Sequence, residues 1–322
     1  PLAVWTNGEL VGRWTPATRR PMELRYEDSW LASPSARPLS LSLPLPLVGN
    51  EPLRGDRVEH FFANLLPDSG AIRRRLAQRY ASGSEDTFDL LAAIGRDCVG
   101  AVQLLPVDEQ PTGFDRIEGE VLDDEAVATL LRSTVSNGLF AHQDRDFRIS
   151  IAGAQEKTAL LRHGDKWQRP LGATPTTHII KLPLGLVGNM QADMRTSVWN
   201  EWLCLKFMEA LGFDVAKVDI VTFADHTPVL VVERFDRRRH SSGSWILRLP
   251  QEDFCQALGV GPAQKYEADG GPGLERLAQV LSGSQNARAD LRSLLASQIV
   301  FWLLAATDGH AKNFSIRLHA SG

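Results

Sequence analysis

The chain has 322 residues, of which 43% are hydrophobic and 23% charged, and its formal net charge at pH 7 is -4. A chain of this length can bury a substantial core, so a small disulfide-stabilised scaffold is excluded and one bilobal domain or two domains are expected. The near-neutral charge excludes a globally basic nucleic-acid-binding surface. The arginine clusters at 73–75 and 237–239 are predicted to lie on solvated faces, with a local nucleic-acid contact as the alternative.

The three cysteines, Cys98, Cys204 and Cys255, are widely spaced and stand among apolar residues. No CxxC pair or zinc-type spacing of His and Cys occurs, so we interpret them as reduced core residues and expect no structural metal. The longest apolar run, residues 299–306, is too short to span a bilayer, and the first residues lack the pattern of a secretory signal. We therefore expect a cytoplasmic protein without membrane contact.

The N-terminal third of the chain predicts strands followed by helices. "AVWTNGELVGRW" alternates about Asn7 and Gly8, a residue pair that favours a tight hairpin turn. "DRVEHFFANLLPDSG" has apolar residues at helical spacing, "TFDLLAAIG" predicts a second helix that ends at Gly95, and "VGAVQLLP" predicts another strand. Residues 106–120 are poor in apolar groups and contain Pro and Gly, so they are the predicted connector to the rest of the chain.

The middle of the chain is rich in predicted strands and its end in predicted helices. Strands are expected within "FRISIAGAQEKTALLRHGDKW", "THIIKLPL", "AKVDIVTF" and "PVLVVERF", five strands around one helix, "VWNEWLCLKFMEALG". Helices follow in "PQEDFCQALG", "GLERLAQVLSG" and "ADLRSLLASQIVFWLLAA", and "SQIVFWLLAA" is so apolar that we expect it to be buried. The predicted segments are 1–110, 111–247 and 248–322. A β-rich lobe joined to a helical lobe through "VVERFDR" leaves a cleft where ligands commonly bind.

Four polar residues emerge directly after this apolar run, within "TDGHAKNFS". Asp308 and Asn313 are separated by four residues, as in the D-x-x-x-x-N interval of the protein-kinase catalytic loop. In that chemistry the Asp accepts the proton of a substrate hydroxyl and the Asn oxygen holds Mg²⁺, while Lys312 could neutralise charge on the phosphoryl group. The same residue types favour a turn that caps a helix, so the spacing alone leaves both interpretations open.

Other polar residues occur in the order that phosphoryl transfer needs. Lys181 ends the strand "HIIK", where a phosphate would offset the desolvation of its ammonium, and Glu201 in the following helix is a candidate partner for it. Small residues in "SIAGAQEK" would let backbone N–H groups approach phosphate, and "VVERF" would contact a purine edge. Each has a plain structural alternative: an exposed lysine, a solvent-facing glutamate, a hairpin turn and an edge strand. Their joint order favours a kinase.

A series of longer motifs follows the same order along the chain. These are "RPLSLSLPL", "FFANLLPDS", "FDLLAAIGRDCVGAV", "DFRISIAGAQEKTALL", "TPTTHIIKLP", "VERFDRR", "LRLPQEDFCQ", "KYEADGGPG" and "ATDGHAKNFS". In these motifs, and over essentially all 322 residues, the sequence closely resembles the HipA family of bacterial serine/threonine kinase toxins. The resemblance implies an α+β, bilobal, protein-kinase-like fold with a β-rich N-terminal lobe, an extra N-terminal subdomain and an all-helical C-terminal lobe.

The resemblance also implies roles for individual residues. It makes Asp308 the catalytic base, Asn313 a Mg²⁺ ligand, Lys181 the lysine on the ATP phosphates, and Ser150 an autophosphorylated serine whose modification ejects the nucleotide loop. The segment from Glu233 to Phe235 becomes the adenine hinge. The ATP contacts that it implies are Ala152, Gly153, Ala154, Gln155, Glu156, Lys157, Lys181, Glu233, Arg234, Phe235, His310, Ala311, Lys312 and Asn313.

The resemblance further implies partners for the chain. They are a HipB-type helix-turn-helix antitoxin, operator DNA bound by the complex, and glutamyl-tRNA synthetase as the phosphorylated target. HipA proteins continue past the equivalent of Gly322 and there supply an aspartate as a second Mg²⁺ ligand, so we expect a fragment or truncated product that transfers phosphate poorly. Two alternatives to an active protein kinase therefore stay open: a non-catalytic co-repressor or decoy that binds an antitoxin, and a small-molecule kinase.

Overall fold

A computed structural model describes residues 1–16, 21–135, 149–153, 155–187 and 191–319. The chain divides into two compact units: unit 1 comprises residues 1–4, 10–65 and 250–322, and unit 2 comprises residues 5–9 and 66–249. The strands are β1 (Leu2–Thr6), β2 (Glu9–Thr15), β3 (Glu23–Tyr26), β4 (Leu53–Arg54), β5 (Gln103–Pro106), β6 (Gly119–Leu122), β7 (Lys157–His163), β8 (Lys166–Pro170), β9 (His178–Lys181), β10 (Gly185–Val187), β11 (Ala192–Met194), β12 (Val218–Thr222), β13 (Pro228–Glu233), β14 (Arg237–Arg239), β15 (Ile246–Arg248), β16 (Gln251–Asp253) and β17 (Ser315–Arg317). The helices are α1 (Asp28–Leu31), α2 (Asp56–Ala63), α3 (Gly70–Arg79), α4 (Thr87–Ile94), α5 (Asp124–Val135), α6 (Ser197–Ala210), α7 (Phe254–Leu258), α8 (Leu274–Leu281) and α9 (Ala287–Leu303).

The predicted hairpin at the start of the chain is confirmed. Asn7 and Gly8 join β1 to β2 with φ angles of 46° and 87°, the left-handed conformation that this pair adopts at little cost. In unit 1, β2 pairs antiparallel with β3, and β3 pairs antiparallel with β4. The amphipathic helix α2 buries Phe61 and Phe62, and the ring of Phe62 stacks on Trp14 of β2 with their centroids 3.8 Å apart. Aromatic packing of this kind anchors the helix to the sheet.

The helical end of unit 1 has its own apolar core. Residues of α7, α8, α9 and the loop after α9 meet in a cluster of Phe254, Cys255, Leu277, Leu281, Leu294 and Ala311. The expectation that "SQIVFWLLAA" is buried was wrong. Val300 is buried, but Ile299, Trp302 and Leu303 have 52%, 80% and 63% of their surface exposed. The reason is helical periodicity: the last turns of α9 carry apolar residues on several sides, and only the stripe with Leu294, Ser297 and Val300 faces this core.

Unit 2 is built on an antiparallel sheet with the strand order β12-β13-β9-β7-β8-β6. Leu230 and Val231 are neighbours in β13, so their side chains point to opposite faces. Val231 belongs to a core cluster with α5, whereas Leu230 packs with Val198 of α6. The sheet therefore has a helix on each face. The sequence predicted five strands around one helix, but not β6 or the amphipathic segment that forms α5.

The mixed helices and sheets confirm the predicted α+β class. The three-segment division of the chain stays a prediction. The described cysteines are free, with Cys98 and Cys255 buried and Cys204 half-buried on α6. Within the described ranges, no helix is both long enough and apolar enough to cross a membrane.

Candidate active site

Asp308 and Asn313 lie in the loop that connects α9 to β17 in unit 1. The loop leaves α9 through Ala305, whose φ is 51°. It ends in one turn of 3₁₀ helix from Ala311 to Asn313, just before β17. Gly309 lies against the ring of Phe301: a Cβ at this position would come within 2.8 Å of Phe301 Cδ2. A side chain here would displace either the ring or the loop, which explains a glycine directly after the predicted base.

The loop brings the two predicted catalytic groups together. The side-chain amide of Asn313 donates from Nδ2 to the main-chain oxygen of Asp308, and the His310 N–H donates to the same oxygen over 3.0 Å. The Asp308 side chain is 75% exposed, whereas that of His310 is only 4% exposed. With its Nδ2 engaged, Asn313 offers its amide oxygen to a ligand. The loop thus presents one carboxylate and one amide oxygen, while Ala311 is buried beneath them and Lys312 is half-buried.

A tyrosine that the sequence reasoning did not select completes this site. Tyr266 donates from its hydroxyl to Asp308 Oδ1 over 2.7 Å. Its ring meets that of His310 edge to face with the centroids 4.8 Å apart, and His310 Nε2 lies 3.6 Å from Asp308 Oδ1. Tyr266 belongs to the motif "KYEADGGPG". The motif was the available signal, but nothing local in it indicates which group the phenol contacts.

In unit 2, the predicted pair of Lys181 and Glu201 is confirmed. Lys181 Nζ, at the end of β9, and Glu201 Oε1, in the second turn of α6, are 2.5 Å apart. Lys157 stands directly opposite Lys181 on the neighbouring strand β7, so both lysines project from the sheet face that α6 covers. Their side chains are only partly buried, so the ion pair itself adds little stability. Two ammonium groups on one face favour a polyanion as their ligand.

The turn before β7 is held by backbone contacts within unit 2. Gly153 has φ 111°, and its carbonyl accepts a hydrogen bond of 3.2 Å from the Asp68 N–H. A Cβ at Gly153 would lie 2.4 Å from Lys157 Nζ, which is the movable end of a long side chain, so it is the backbone conformation that requires glycine here. Glu156 forms an ion pair with Arg75, and Gln155 donates to the Leu182 carbonyl over 2.6 Å. Among the predicted phosphate contacts, Ala154 lies outside the described residues and Ala152 is half-buried.

The predicted hinge lies at the end of β13. Glu233 and Phe235 are exposed, but the side chain of Arg234 between them is buried. The Arg234 N–H donates to the Thr177 carbonyl over 2.9 Å. Its guanidinium is engaged by Asp236, with NH2 2.8 Å from Oδ2. Arg234 can therefore contact a nucleotide only through its main-chain atoms. Its role as an ATP contact stays a prediction and is limited to those atoms.

Arg234 is one member of a buried ionic cluster that the sequence reasoning missed. We define the cluster as Asp97, Asp236, Arg234, Arg237 and Arg248, all buried in unit 2. Asp97 Oδ1 accepts from Arg237 NH2 at 3.0 Å and lies 3.1 Å from Arg248 NH2. Burial alone would raise the pKa of Asp97, but the three guanidinium groups hold it well below its usual range. Burial is also the main cause that raises the pKa of the neighbouring Cys98 thiol to about 12, so this thiol stays protonated.

The cluster corrects the prediction that residues 237–239 form a solvated face. Arg238 and Arg239 are exposed, whereas Arg237 pairs across β14 and β15 with Arg248, and both guanidinium groups reach the buried carboxylates. In the 73–75 cluster, Arg74 is exposed but Arg73 donates to the Pro67 carbonyl over 2.7 Å. Buried arginines need carboxylate or carbonyl partners, and for Arg237 and Arg248 the shared carboxylate of Asp97 is more than 130 residues away in the sequence.

Ser150 is fully buried next to this cluster. Its N–H donates to the Asp97 carbonyl over 3.0 Å, and a parallel bridge joins Ile149 to Asp97. Modification of the Ser150 hydroxyl would therefore require the segment to leave this position. Among the described residues, no group of three or more His, Cys, Asp or Glu side chains is arranged to hold a metal ion.

An α+β chain that carries a strand lysine paired with a helix glutamate, followed by a loop with Asp308 and Asn313, defines a protein-kinase-like class. Family models describe both halves of it: a HipA N-terminal domain matches residues 2–105 and a HipA-like C-terminal domain matches residues 149–322. The chain belongs to the HipA family, which confirms the resemblance seen in its motifs.

Two similar proteins are described as kinases. A putative kinase, Y4mE, of Sinorhizobium fredii is 34% identical over 319 residues, which cover 98% of this chain and 73% of the relative. A serine/threonine-protein kinase toxin HipA of Shewanella oneidensis is 28% identical over 95% of this chain and 68% of its own. A structure of the Shewanella oneidensis toxin-antitoxin complex of HipA, HipB and its operator DNA matches with a TM-score of 0.78 and 27% identity, over 100% of this chain and 74% of that chain. The kinase-like fold is thereby confirmed.

Proposed function

We propose that this protein is an ATP-dependent serine/threonine protein kinase of the HipA type. The observation that carries the proposal is the pairing of Asp308 with Asn313 in one loop, with the carboxylate of Asp308 exposed to an incoming substrate. The Lys181–Glu201 pair adds the cation that phosphoryl transfer requires on the nucleotide phosphates. Both features use residues that the family resemblance assigns to the same roles.

In the proposed reaction, the oxygen of an acceptor hydroxyl forms a bond to the γ-phosphorus of ATP. The bond from that phosphorus to the β–γ bridging oxygen breaks, and ADP leaves with the electron pair. Asp308 accepts the proton of the acceptor hydroxyl. Lys181 and Lys157 hold the phosphates, and backbone N–H groups near Gly153 and the main chain of Glu233 to Phe235 contact the nucleotide. Positioning and charge stabilisation supply most of the rate enhancement in this chemistry.

The oxygens of the catalytic loop fit a magnesium ion. Mg²⁺ prefers hard oxygen ligands from one or two protein groups together with phosphate oxygens. Asn313 offers its amide oxygen because its nitrogen is engaged with the Asp308 carbonyl, and the Asp308 carboxylate is exposed nearby. The ion, when bound, would neutralise charge that develops on the transferred phosphoryl group.

The first test replaces Asp308 by Asn and Asn313 by Ala in the full-length protein. We expect phosphoryl transfer from γ-labelled ATP to fall by about 10²- to 10⁴-fold in each, because Asp308→Asn removes the general base and Asn313→Ala removes the amide oxygen proposed to hold Mg²⁺. Both side chains are exposed, so the midpoint of thermal unfolding should change little. Asp56→Asn, an exposed aspartate of the same unit outside the site, is the matched control and should retain activity. Transfer at the wild-type rate by Asp308→Asn would end the kinase assignment of this loop.

Ser150 is the proposed site of inhibitory autophosphorylation. A phosphate would add about -1.5 to -2 charge and three acceptor oxygens to a side chain that has no exposed surface. Such a group is incompatible with the buried position, so the segment through Lys157 should leave its place and lose its nucleotide contacts.

The switch is tested by measuring nucleotide affinity with calorimetry. Stoichiometric phosphorylation of Ser150 should weaken ATP binding strongly, and Ser150→Asp should weaken it in part because it carries a single charge. Ser150→Ala should keep its first-round activity but fail to shut itself off. Equal nucleotide affinity in the phosphorylated and unmodified forms would show that Ser150 is a structural residue.

The proposed partners are a HipB-like helix-turn-helix antitoxin and, through it, operator DNA. Support comes from the matched Shewanella oneidensis structure, whose HipA chain is in complex with HipB and operator DNA. The formal net charge of -4 gives the chain no strong attraction of its own for DNA, which agrees with binding through a partner. Glutamyl-tRNA synthetase remains the proposed protein target on the strength of the family resemblance. A labelling assay with this synthetase and with an unrelated tRNA synthetase as control tests the target directly.

A co-repressor or decoy without catalytic activity is the second proposal. Wild-type full-length protein that binds antitoxin and operator but transfers no label would favour it over the kinase.

A further inference from the structure

The motif "KYEADGGPG" has no role in the reaction described so far, yet its glycines impose a specific turn. Gly270 has φ 83° and ends the 3₁₀ turn Glu267–Asp269. A Cβ on Gly271 would lie 1.9 Å from the Gln264 carbonyl oxygen, and the Gly271 N–H donates to the Tyr266 carbonyl over 2.9 Å. The chain can fold back this tightly only because the crowded position has no side chain. The turn holds the main chain on both sides of Tyr266.

The segment is also docked on the catalytic loop of the same unit. The Ala311 N–H donates to the Lys265 carbonyl over 3.3 Å, and in the neighbouring residues the Tyr266 ring meets the buried His310 ring at nearly a right angle. Two independent contacts, one from the main chain and one from an aromatic pair, therefore place the phenol against the loop. The result is the 2.7 Å hydrogen bond from the Tyr266 hydroxyl to Asp308 Oδ1.

This hydrogen bond restricts the rotation of the exposed Asp308 carboxylate. The Asp308 side chain is 75% exposed on an irregular loop, where a short carboxylate can rotate between staggered conformers. A donor fixed to one carboxylate oxygen selects one rotamer and leaves the other oxygen, Oδ2, to accept the substrate proton. Hydrogen bonds to a charged acceptor are the stronger ones, so the selection is effective even near solvent.

We propose that Tyr266 is a positioning residue for the catalytic base: its hydroxyl holds Asp308 Oδ1, orients Oδ2 toward the acceptor hydroxyl, and is the reason for the glycine-rich turn in "KYEADGGPG". The proposal rests on the proposed function of Asp308. Tyr266 acts through Asp308, so its removal affects the step in which the proton is accepted and leaves nucleotide binding unchanged.

The test is Tyr266→Phe in the full-length protein, which removes the hydroxyl but keeps the ring against His310. We expect kcat to fall about tenfold, the effect of one hydrogen bond to a charged group. The KM for ATP, the affinity for Mg-ATP by calorimetry and the midpoint of thermal unfolding should stay close to wild type. In the Asp308→Asn background the same change should alter the residual rate less than about twofold, because the partner of the hydroxyl is no longer the base.

Tyr26→Phe is the matched control. The Tyr26 hydroxyl is buried in the same unit, where it donates to the Leu43 carbonyl over 2.5 Å and accepts from the Leu39 N–H over 2.9 Å. Its loss should lower stability and leave kcat unchanged. An unchanged kcat in Tyr266→Phe, or an equal loss of rate with and without Asp308, would overturn the positioning role. Failure of the proposed function gives a different result from failure of the positioning role. In that case wild type transfers no phosphate, or Asp308→Asn transfers it at the wild-type rate. Either result would also rule out the positioning role of Tyr266.

Discussion

Glu252 places a carboxyl group in a fully buried position of unit 1, with one oxygen accepting from the Leu41 N–H over 3.0 Å. Burial raises the pKa of Glu252 to about 7. A buried carboxylate is expensive unless it is fully paired, so the group is neutral or only partly ionised at physiological pH. The free energy of unfolding is therefore expected to depend on pH through the Glu252 side chain.

We predict that Glu252→Gln stabilises the protein above neutral pH. The unfolded carboxyl ionises at a lower pH than the folded one, so wild-type stability falls as pH rises from about 4.5 through 7, by up to about 3 kcal/mol. The amide removes this loss, and the free energies of unfolding of the two proteins should differ at pH 8 and converge toward pH 5. Urea denaturation at both values measures the difference, with the exposed Glu51→Gln as control. A difference that is the same at both pH values would contradict the assignment.

At the scale of elements, the short helix α7 depends on its N-terminal cap. Asp253 accepts from the Gln256 N–H over 2.8 Å, and the Gln256 side chain accepts from the Asp253 N–H over 3.0 Å. Gly259, with φ 68°, ends the helix after five residues. A helix this short is not stable by itself, so these local contacts and the burial of Phe254 decide whether it forms.

Asp253→Ala should lower the free energy of unfolding by about 1 kcal/mol through loss of the cap. Asp253→Asn is the conservative comparison, because its side-chain oxygen can still accept from the Gln256 N–H, and it should cost less. Thermal unfolding of both variants beside wild type provides the measurement. If alanine and asparagine were equally stable at this position, the capping box would not be what holds α7.

At the scale of the whole molecule, the ionic cluster ties together segments of unit 2 that are far apart in the chain. Arg234 and Arg248 are 137 and 151 residues from Asp97, and all three are nearly inaccessible to water. The cluster has three arginines and two aspartates, so it keeps a net positive charge. Main-chain carbonyls such as that of Cys98 accept hydrogen bonds from the guanidinium groups. Loss of one carboxylate leaves guanidinium groups buried without compensation.

Asp97→Asn should therefore lower the free energy of unfolding by about 3–5 kcal/mol. The exposed Asp115→Asn is the control, and it should change stability by less than about 0.5 kcal/mol. Because the pKa of Asp97 is held low, its contribution is fully present above the pKa of an unfolded aspartate and is lost progressively as pH falls from that value through the folded one. Denaturation at pH 7 and pH 3 measures both effects. A loss as small as that of the control would mean that the cluster adds no stability.

The local features of the chain were predictable because each depends on residues close in sequence. The Asn7–Gly8 turn, α2, α4 and α6 follow from turn propensity and apolar spacing, and the interval between Asp308 and Asn313 is short enough for one loop to set. The Lys181–Glu201 pair was also within reach, since 20 residues separate a strand end from the helix that follows it. The family itself was evident from the order of the motifs.

Contacts between distant segments were decided by the tertiary structure alone. Tyr266 meets Asp308 across 42 residues because a glycine-crowded turn docks against the catalytic loop, and Asp97 meets its arginines across more than 130. No local pattern distinguishes Arg237, which is buried, from Arg238, which is exposed, or the buried Val300 from the exposed Trp302. Spacing indicates which residues share a face, but only the packing of that face against a neighbour determines whether it is buried and which polar group it meets.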